Sequence, residues 1–234
     1  MQRLAEGREH PGCATRARMM VLRLQAATGV VSVLLMVAGL VAIGAVGLDA
    51  KAPADVFAAD IQENRRLLGA SAFLIGLAGV LFLWFVGSLY SALRRAEGEP
   101  GRLSALALAS GALLSFTWVL WGGLVAGAIG LAVHYEHPTG AKTAVALALE
   151  MIDRPIALLL AAVLVGATSL LTLRAGPLPR WHGWVSGVLA ALLVVGSGLG
   201  GVFGPPLGAP AILFPLWVFV TSVVLIGRLG SSDE

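Results

Sequence analysis

Residues 65–95 read RRLLGASAFLIGLAGVLFLWFVGSLYSALRR. Between the two arginine pairs, residues 67–93 carry no formal charge. A helix crosses the hydrocarbon core of a bilayer in roughly 20 residues. Helices satisfy their own backbone hydrogen bonds, so an apolar run of this length in lipid is helical. Arg65, Arg66, Arg94 and Arg95 then mark where the helix leaves the hydrocarbon for headgroups and water.

The same reading applies outward in both directions. Residues 24–48 form an apolar run closed by Asp49 and Lys51, longer than the roughly 7–15 residues of a signal-peptide core. Residues 103–133 form a third run, long enough that it must tilt or protrude. A fourth, 155–173, opens on Pro155, a natural first-turn residue. From Trp181 to Gly227 no formal charge appears. The stretch Gly204-Pro205-Pro206-Leu207-Gly208-Ala209-Pro210 cannot continue a helix, so it divides that segment into spans 181–203 and 211–227, the latter predicted to kink at Pro215. The expectation is an all-α polytopic membrane bundle. It has a cytoplasmic segment 1–23, six transmembrane helices within 24–228, and a cytoplasmic tail 229–234.

Orientation follows from the basic residues. With the N-terminus inside, Arg3, Arg8, Arg16, Arg18, Arg23, Arg94, Arg95, Arg102, Arg174, Arg180 and Arg228 face the cytoplasm. Lys51, Arg65, Arg66, Lys142 and Arg154 face out, completing the sixteen. The positive-inside rule therefore predicts both termini in the cytoplasm. Arg23, Arg102 and Arg180 each open an odd-numbered span at nearly equal separations, a pattern that tandem hairpin duplication would produce.

Composition agrees with a membrane address. The chain is 58% hydrophobic and 12% charged, with mean hydropathy +0.88, against about 25% charged in soluble domains. Arginine far exceeds lysine, which together with abundant Ala, Gly, Leu and Val suggests a GC-rich bacterium and hence its plasma or inner membrane. No basic stripe with interleaved aromatics suggests nucleic acid. The single cysteine, Cys13, excludes a disulfide framework or a cysteine metal site. The expected partners are the bilayer itself and another membrane protein or a second copy. No cofactor is implied.

Chemistry-bearing residues are sparse. Inside the spans, Ser32, Ser71, Ser115, Thr117, Thr168, Ser169 and Thr221 have no intramembrane acid or histidine to activate them and are expected to bond back to their own helix. No catalytic residue is assigned. Trp84, Trp118 and Trp121 are expected to pack in or line the bundle, while Trp181 and Trp184 sit where an interfacial belt would place them. Small residues recur every fourth position at Gly123 with Gly127, Gly183 with Gly187, and Gly196 with Gly200 and Gly204, a spacing that lets helix backbones approach. His134, Glu136 and His137 are the densest potential metal ligands, although Pro138 ends any helix that reaches them. Arg65, Arg66, Glu150, Asp153 and Arg154 gather at the outer ends of the second and fourth spans. Residues 54–64 and 142–152 resemble short surface helices, with Phe57, Ile61 and Leu68 on roughly one face. Folded together, these outer segments would pair Arg65 or Arg66 with Glu150 or Asp153 over an outward pocket.

The segment Gly176-Pro177-Leu178-Pro179-Arg180-Trp181-His182-Gly183-Trp184 resembles the Leu-Pro-Arg-Trp-x-Gly-Trp signature found before the fifth helix in uncharacterised, actinobacterial-type six-span integral membrane proteins. Residues 81–89 with Arg94-Arg95 are similar to the second helix of that family. The resemblance implies fold and location and no activity; His182 departs from a position that is commonly apolar there.

Three functions follow as expectations. The first is a non-enzymatic accessory or sensor-like bundle acting through lipid or membrane-protein contacts. The second is a transporter or binding protein for a neutral, lipophilic or weakly anionic molecule held in an aromatic-lined cavity. The third is a membrane enzyme with a metal at the outer face.

Overall fold

A computed structural model describes residues 11–49, 51–153, 155–203 and 209–230. Side chains at 11–23, 25–26, 149–153, 155, 199–203, 209–212 and 229–230 lie outside that description. Eight helices and no strand occur among the described residues: α1 (Pro11–Val46), α2 (Ala54–Glu63), α3 (Arg65–Glu97), α4 (Arg102–Val133), α5 (Pro138–Asp153), α6 (Pro155–Ala175), α7 (Arg180–Phe203) and α8 (Ala209–Gly230). Five contain segments long and apolar enough to cross a membrane: Ala27–Val46, Arg65–Glu97, Arg102–Val133, Ile156–Ala175 and Arg180–Gly198. The described apolar part of α8 is shorter, Leu213–Arg228.

Local sequence explains the boundaries. Proline opens α1, α5 and α6, where its missing N–H costs nothing and its fixed φ suits the first turn. Pro138 therefore starts a helix as well as barring α4 from continuing. Gly98 and Gly176 follow α3 and α6 with φ of +72° and +69°, a left-handed geometry that glycine adopts without Cβ strain. The first turn of α4 is capped from the preceding helix: the Glu97 carboxylate accepts from the N–H groups of Leu103 and Ser104, both at 2.8 Å.

The long helices neighbour one another in the order α1, α3, α4, α6, α7, α8 and back to α1, closing a ring that α3 and α6 also bridge. The short helices α2 and α5 pack on each other and on α4 at one end. Phe57, Ile61 and Leu68 are buried with Ala128, Ala132, Ala141 and Val145, so the expected apolar face is the one that docks. Each such large side chain contributes roughly 1.5–3 kcal/mol when fully buried. Gln62 Nε2 donates to the Ala132 carbonyl at 2.7 Å, and Lys142 Nζ to the Ala52 carbonyl at 2.5 Å. Helices α1–α2–α3 and α4–α5–α6 thus repeat one plan: long helix, short cap helix, long helix.

Serines join the ring at its seams. Ser32 Oγ donates to the Ala78 carbonyl across α1–α3, Ser115 to Gly79 across α4–α3, and Ser169 to Gly183 across α6–α7, at 2.9, 2.6 and 2.8 Å. These three depart from the expected back-bonding, which Ser71, Thr117, Thr168 and Thr221 do show. A neighbouring backbone brought close by small residues offers the hydroxyl a carbonyl on another helix. The glycine reading needs similar correction. A Cβ at Gly183 or Gly187 would meet α6 side chains, whereas Gly123 and Gly127 face open space and the close approach of α4 falls at Gly122. Gly200 and Gly204 lie outside the described side chains.

Candidate functional site

The ring encloses a cavity of about 370 Å³ in the half of the bundle capped by α2 and α5. Helix α1 contributes Met36, Val37 and Leu40, and α3 contributes Ile75. Helix α4 supplies Leu114, Thr117, Trp118 and Trp121; α6 supplies Ala157, Leu158 and Ala161; α8 supplies Phe214 and Pro215. Among the described residues no lining side chain is ionisable. The cavity is partly open, and Val37 and Leu40 on its α1 wall are 47% and 38% exposed. Its volume falls at the lower end of the roughly 300–1,000 Å³ typical of ligand pockets.

The expected tryptophans separate. Trp118 and Trp121 line the cavity, whereas Trp84 is 58% exposed on the outside of α3. Thr117 donates its hydroxyl hydrogen to the Leu114 carbonyl at 2.7 Å and keeps only acceptor capacity. Trp121 is buried, and its Nε1 has no hydrogen-bond partner. A buried donor left unsatisfied costs about 1–3 kcal/mol.

A second polar constellation lies between α7 and α8. His182, near the start of α7, is 1% exposed. Trp217 Nε1 donates to Ser186 Oγ at 2.8 Å, and Thr221 Oγ1 donates to the Trp217 carbonyl at 2.7 Å. With its one hydrogen committed, Thr221 accepts from His182 Nε2 at 2.9 Å, leaving Nδ1 to accept from Ser186 Oγ at 3.3 Å. The ring of donors closes on itself, so Ser186 and His182, although adjacent, form a clasp between two helices. The matching i, i+4 pairs, His182 with Ser186 and Trp217 with Thr221, are the signal in the sequence that could have found it. Thr221→Val leaves the imidazole N–H unsatisfied and should cost about 1–3 kcal/mol, read as a lower melting temperature in detergent; Thr221→Ser should restore it. Equal melting of all three proteins would rule out the clasp.

Aromatic rings connect the two features. Phe82 lies 4.8 Å from Trp118 and 6.0 Å from Phe214; Phe214 stacks on Trp217 at 6.0 Å, which in turn lies 6.0 Å from His182. Offset and edge-on contacts of this kind hold about 0.5–1.5 kcal/mol each beyond area burial.

Arg65 and Arg66 are exposed at the start of α3. The side chains of Glu150 and Asp153, and Arg154 altogether, lie outside the described residues, and so does the expected pairing. His134, Glu136 and His137 are exposed in the turn between α4 and α5, with Glu136 at φ +48°. Helix α4 ends at Val133, so the two histidines do not share a helical face. Among the described residues no three His, Cys, Asp or Glu side chains gather to hold a metal ion.

Compared with known families, curated proteins and solved structures, the chain matches none.

Proposed function

We propose that this membrane protein binds a neutral, lipophilic small molecule, drawn from the bilayer into the cavity at the centre of the helix ring. The observation that carries this reading is a partly open, apolar cavity of ligand size bordered by two indoles. No described residue on the wall carries a charge, and an ion among them would be desolvated without a counter-charge, which favours a neutral ligand. The accessory-protein reading rests on spans without intramembrane charge and a sequence without a catalytic constellation, and it explains no cavity. A defined probe tests the proposal: purified protein should bind methyl undecyl ketone, and variants that fill the cavity should not. Failure of the ketone to bind or to displace co-purified phospholipid would leave the cavity as a resting place for bilayer chains.

The proposed setting is a bacterial plasma membrane, with α8 as the sixth span and both termini cytoplasmic, the arrangement of the six-span family that the Leu178–Trp184 segment resembles. The support is the distribution of arginine and lysine. With Cys13 replaced by serine, single cysteines at Ala50 and Gly140 should label from outside, and those at Glu97 and Ser231 only after permeabilisation. The reverse pattern would invert the topology.

A further inference from the structure

The two turns at the end of the bundle away from α2 and α5 differ in their counter-charges. At the α3–α4 turn Arg94 pairs with Glu99, and Glu97 caps the next helix. At the α6–α7 turn there is no acid, and residues 154–232 contain no Asp or Glu at all. Arg174 and Arg180 are exposed at either end of that turn, and neither guanidinium meets an acidic side chain among the described residues. The turn between them is fixed. Leu178 is buried in it, and Arg228 of α8 donates from Nη1 to the Gly176 and Pro177 carbonyls at 3.0 and 2.7 Å. Trp181 is held edge-on to the buried His182 ring at 5.7 Å. Beyond the turn, Trp181, Trp184, Val188, Ala191 and Val195 recur at helical spacing along one exposed face of α7. From Trp184 to Val195 that face runs about 17 Å at a rise of about 1.5 Å per residue, close to one leaflet of a hydrocarbon core roughly 30 Å thick.

We infer that this face is a binding site for one anionic phospholipid. Arg174 and Arg180 hold its phosphate, the Trp181 and Trp184 rings lie against its glycerol region, and an acyl chain follows α7 as far as Val195. Guanidinium groups take phosphate oxygens in paired, charge-assisted hydrogen bonds. Two of them with no acid nearby call for a headgroup of net negative charge, which a zwitterionic lipid does not supply. A soluble phosphate would leave the indoles and the apolar face uncovered.

The test places the full-length protein in phosphatidylcholine vesicles in which one-tenth of the lipid is phosphatidylglycerol, brominated high in its acyl chain to quench an indole on contact. The Trp181 and Trp184 signal is the difference from a Trp181→Phe/Trp184→Phe variant. It should report a roughly thirtyfold preference over brominated phosphatidylcholine, each arginine adding about fivefold at an anionic headgroup. Arg174→Gln/Arg180→Gln should bring the preference close to one. Arg95→Gln/Arg102→Gln, which changes exposed arginines at the other turn, should leave it intact. All four arginines are exposed, so these variants should fold. A second measurement spares the indoles: phosphatidylglycerol added in detergent should raise the melting temperature of the unmodified protein and not that of Arg174→Gln/Arg180→Gln. Equal quenching by the two brominated lipids, or a preference that survives in Arg174→Gln/Arg180→Gln, would overturn the site. So would a preference lost equally in both arginine variants, which is the general attraction of any basic surface.

Discussion

Gly122→Leu should fail to assemble a stable bundle, while Gly123→Leu, one residue along, should behave as the unmodified protein. A Cβ at Gly122 would sit 2.6 Å from the Ala72 carbonyl oxygen and close to the backbone of Gly76. These are main-chain atoms of α3 and cannot rotate away, so the two helices must separate. Separation breaks the serine bond from Ser115 to Gly79 and loosens Trp121 and Val125, which pack against Ala72 and Ile75. Overpacking of a close-packed interface costs about 1–3 kcal/mol and more where backbone is struck. In a membrane the loss weighs heavily, because lipid supplies no hydrophobic drive to hold the helices together. Gly123 is exposed, with nothing within 4 Å of its Cβ position, and a leucine there meets only lipid. Melting temperatures measured side by side decide the matter, and two variants that melt together would refute the close approach.

Filling the cavity should abolish ligand uptake without unfolding the protein. Ala161 is buried and lines the cavity from α6; Ala157, one turn earlier, is partly exposed on the same wall. Phenylalanine at either position projects into space that a ligand would otherwise occupy. Affinity for methyl undecyl ketone should fall at least about hundredfold, or ~2.7 kcal/mol. Because added volume enters an existing void, the melting temperature should hold or rise slightly. Two positions guard against local misfitting: Ala157 has more room, so its variant should fold even if that at Ala161 strains the core. Unchanged ketone affinity in both folded variants would place binding elsewhere on the protein.

Which parts of this could be read before the tertiary structure was known depends on the range of the forces involved. The identity of the long helices is a one-dimensional property. Residues 67–93 are apolar over more than a bilayer's width, and the bilayer alone compels them to be helical. Helix ends were equally local: Pro155 opens α6 as expected, Gly98 and Gly176 close helices through their own backbone freedom, and Arg94 and Arg95 lie in the last turn of α3. The docking face of α2 was visible because Phe57 and Ile61 are a single turn apart.

Contacts between helices were not legible in that way. Spacing by four nominated Gly123 and Gly127, while packing chose Gly122, since every helix with abundant glycine presents several strips and only its rotation against a neighbour selects one. The burial of His182 could not be read from its place two positions after Arg180; it followed from α8 bringing Thr221 and Trp217 against it, from some forty residues away. The cavity is the same kind of property. No residue lining it is unusual for a membrane helix, and five separate helices had to be arranged around it before a void existed. The amino-acid sequence by itself determined the solvent this protein folds in, the helices that solvent compels, and several of their ends, because those depend on transfer free energies and local backbone geometry. Only the tertiary structure decided which faces meet, where a polar clasp closes and where space is left unfilled, because lipid bathes every apolar face alike and close packing alone distinguishes them.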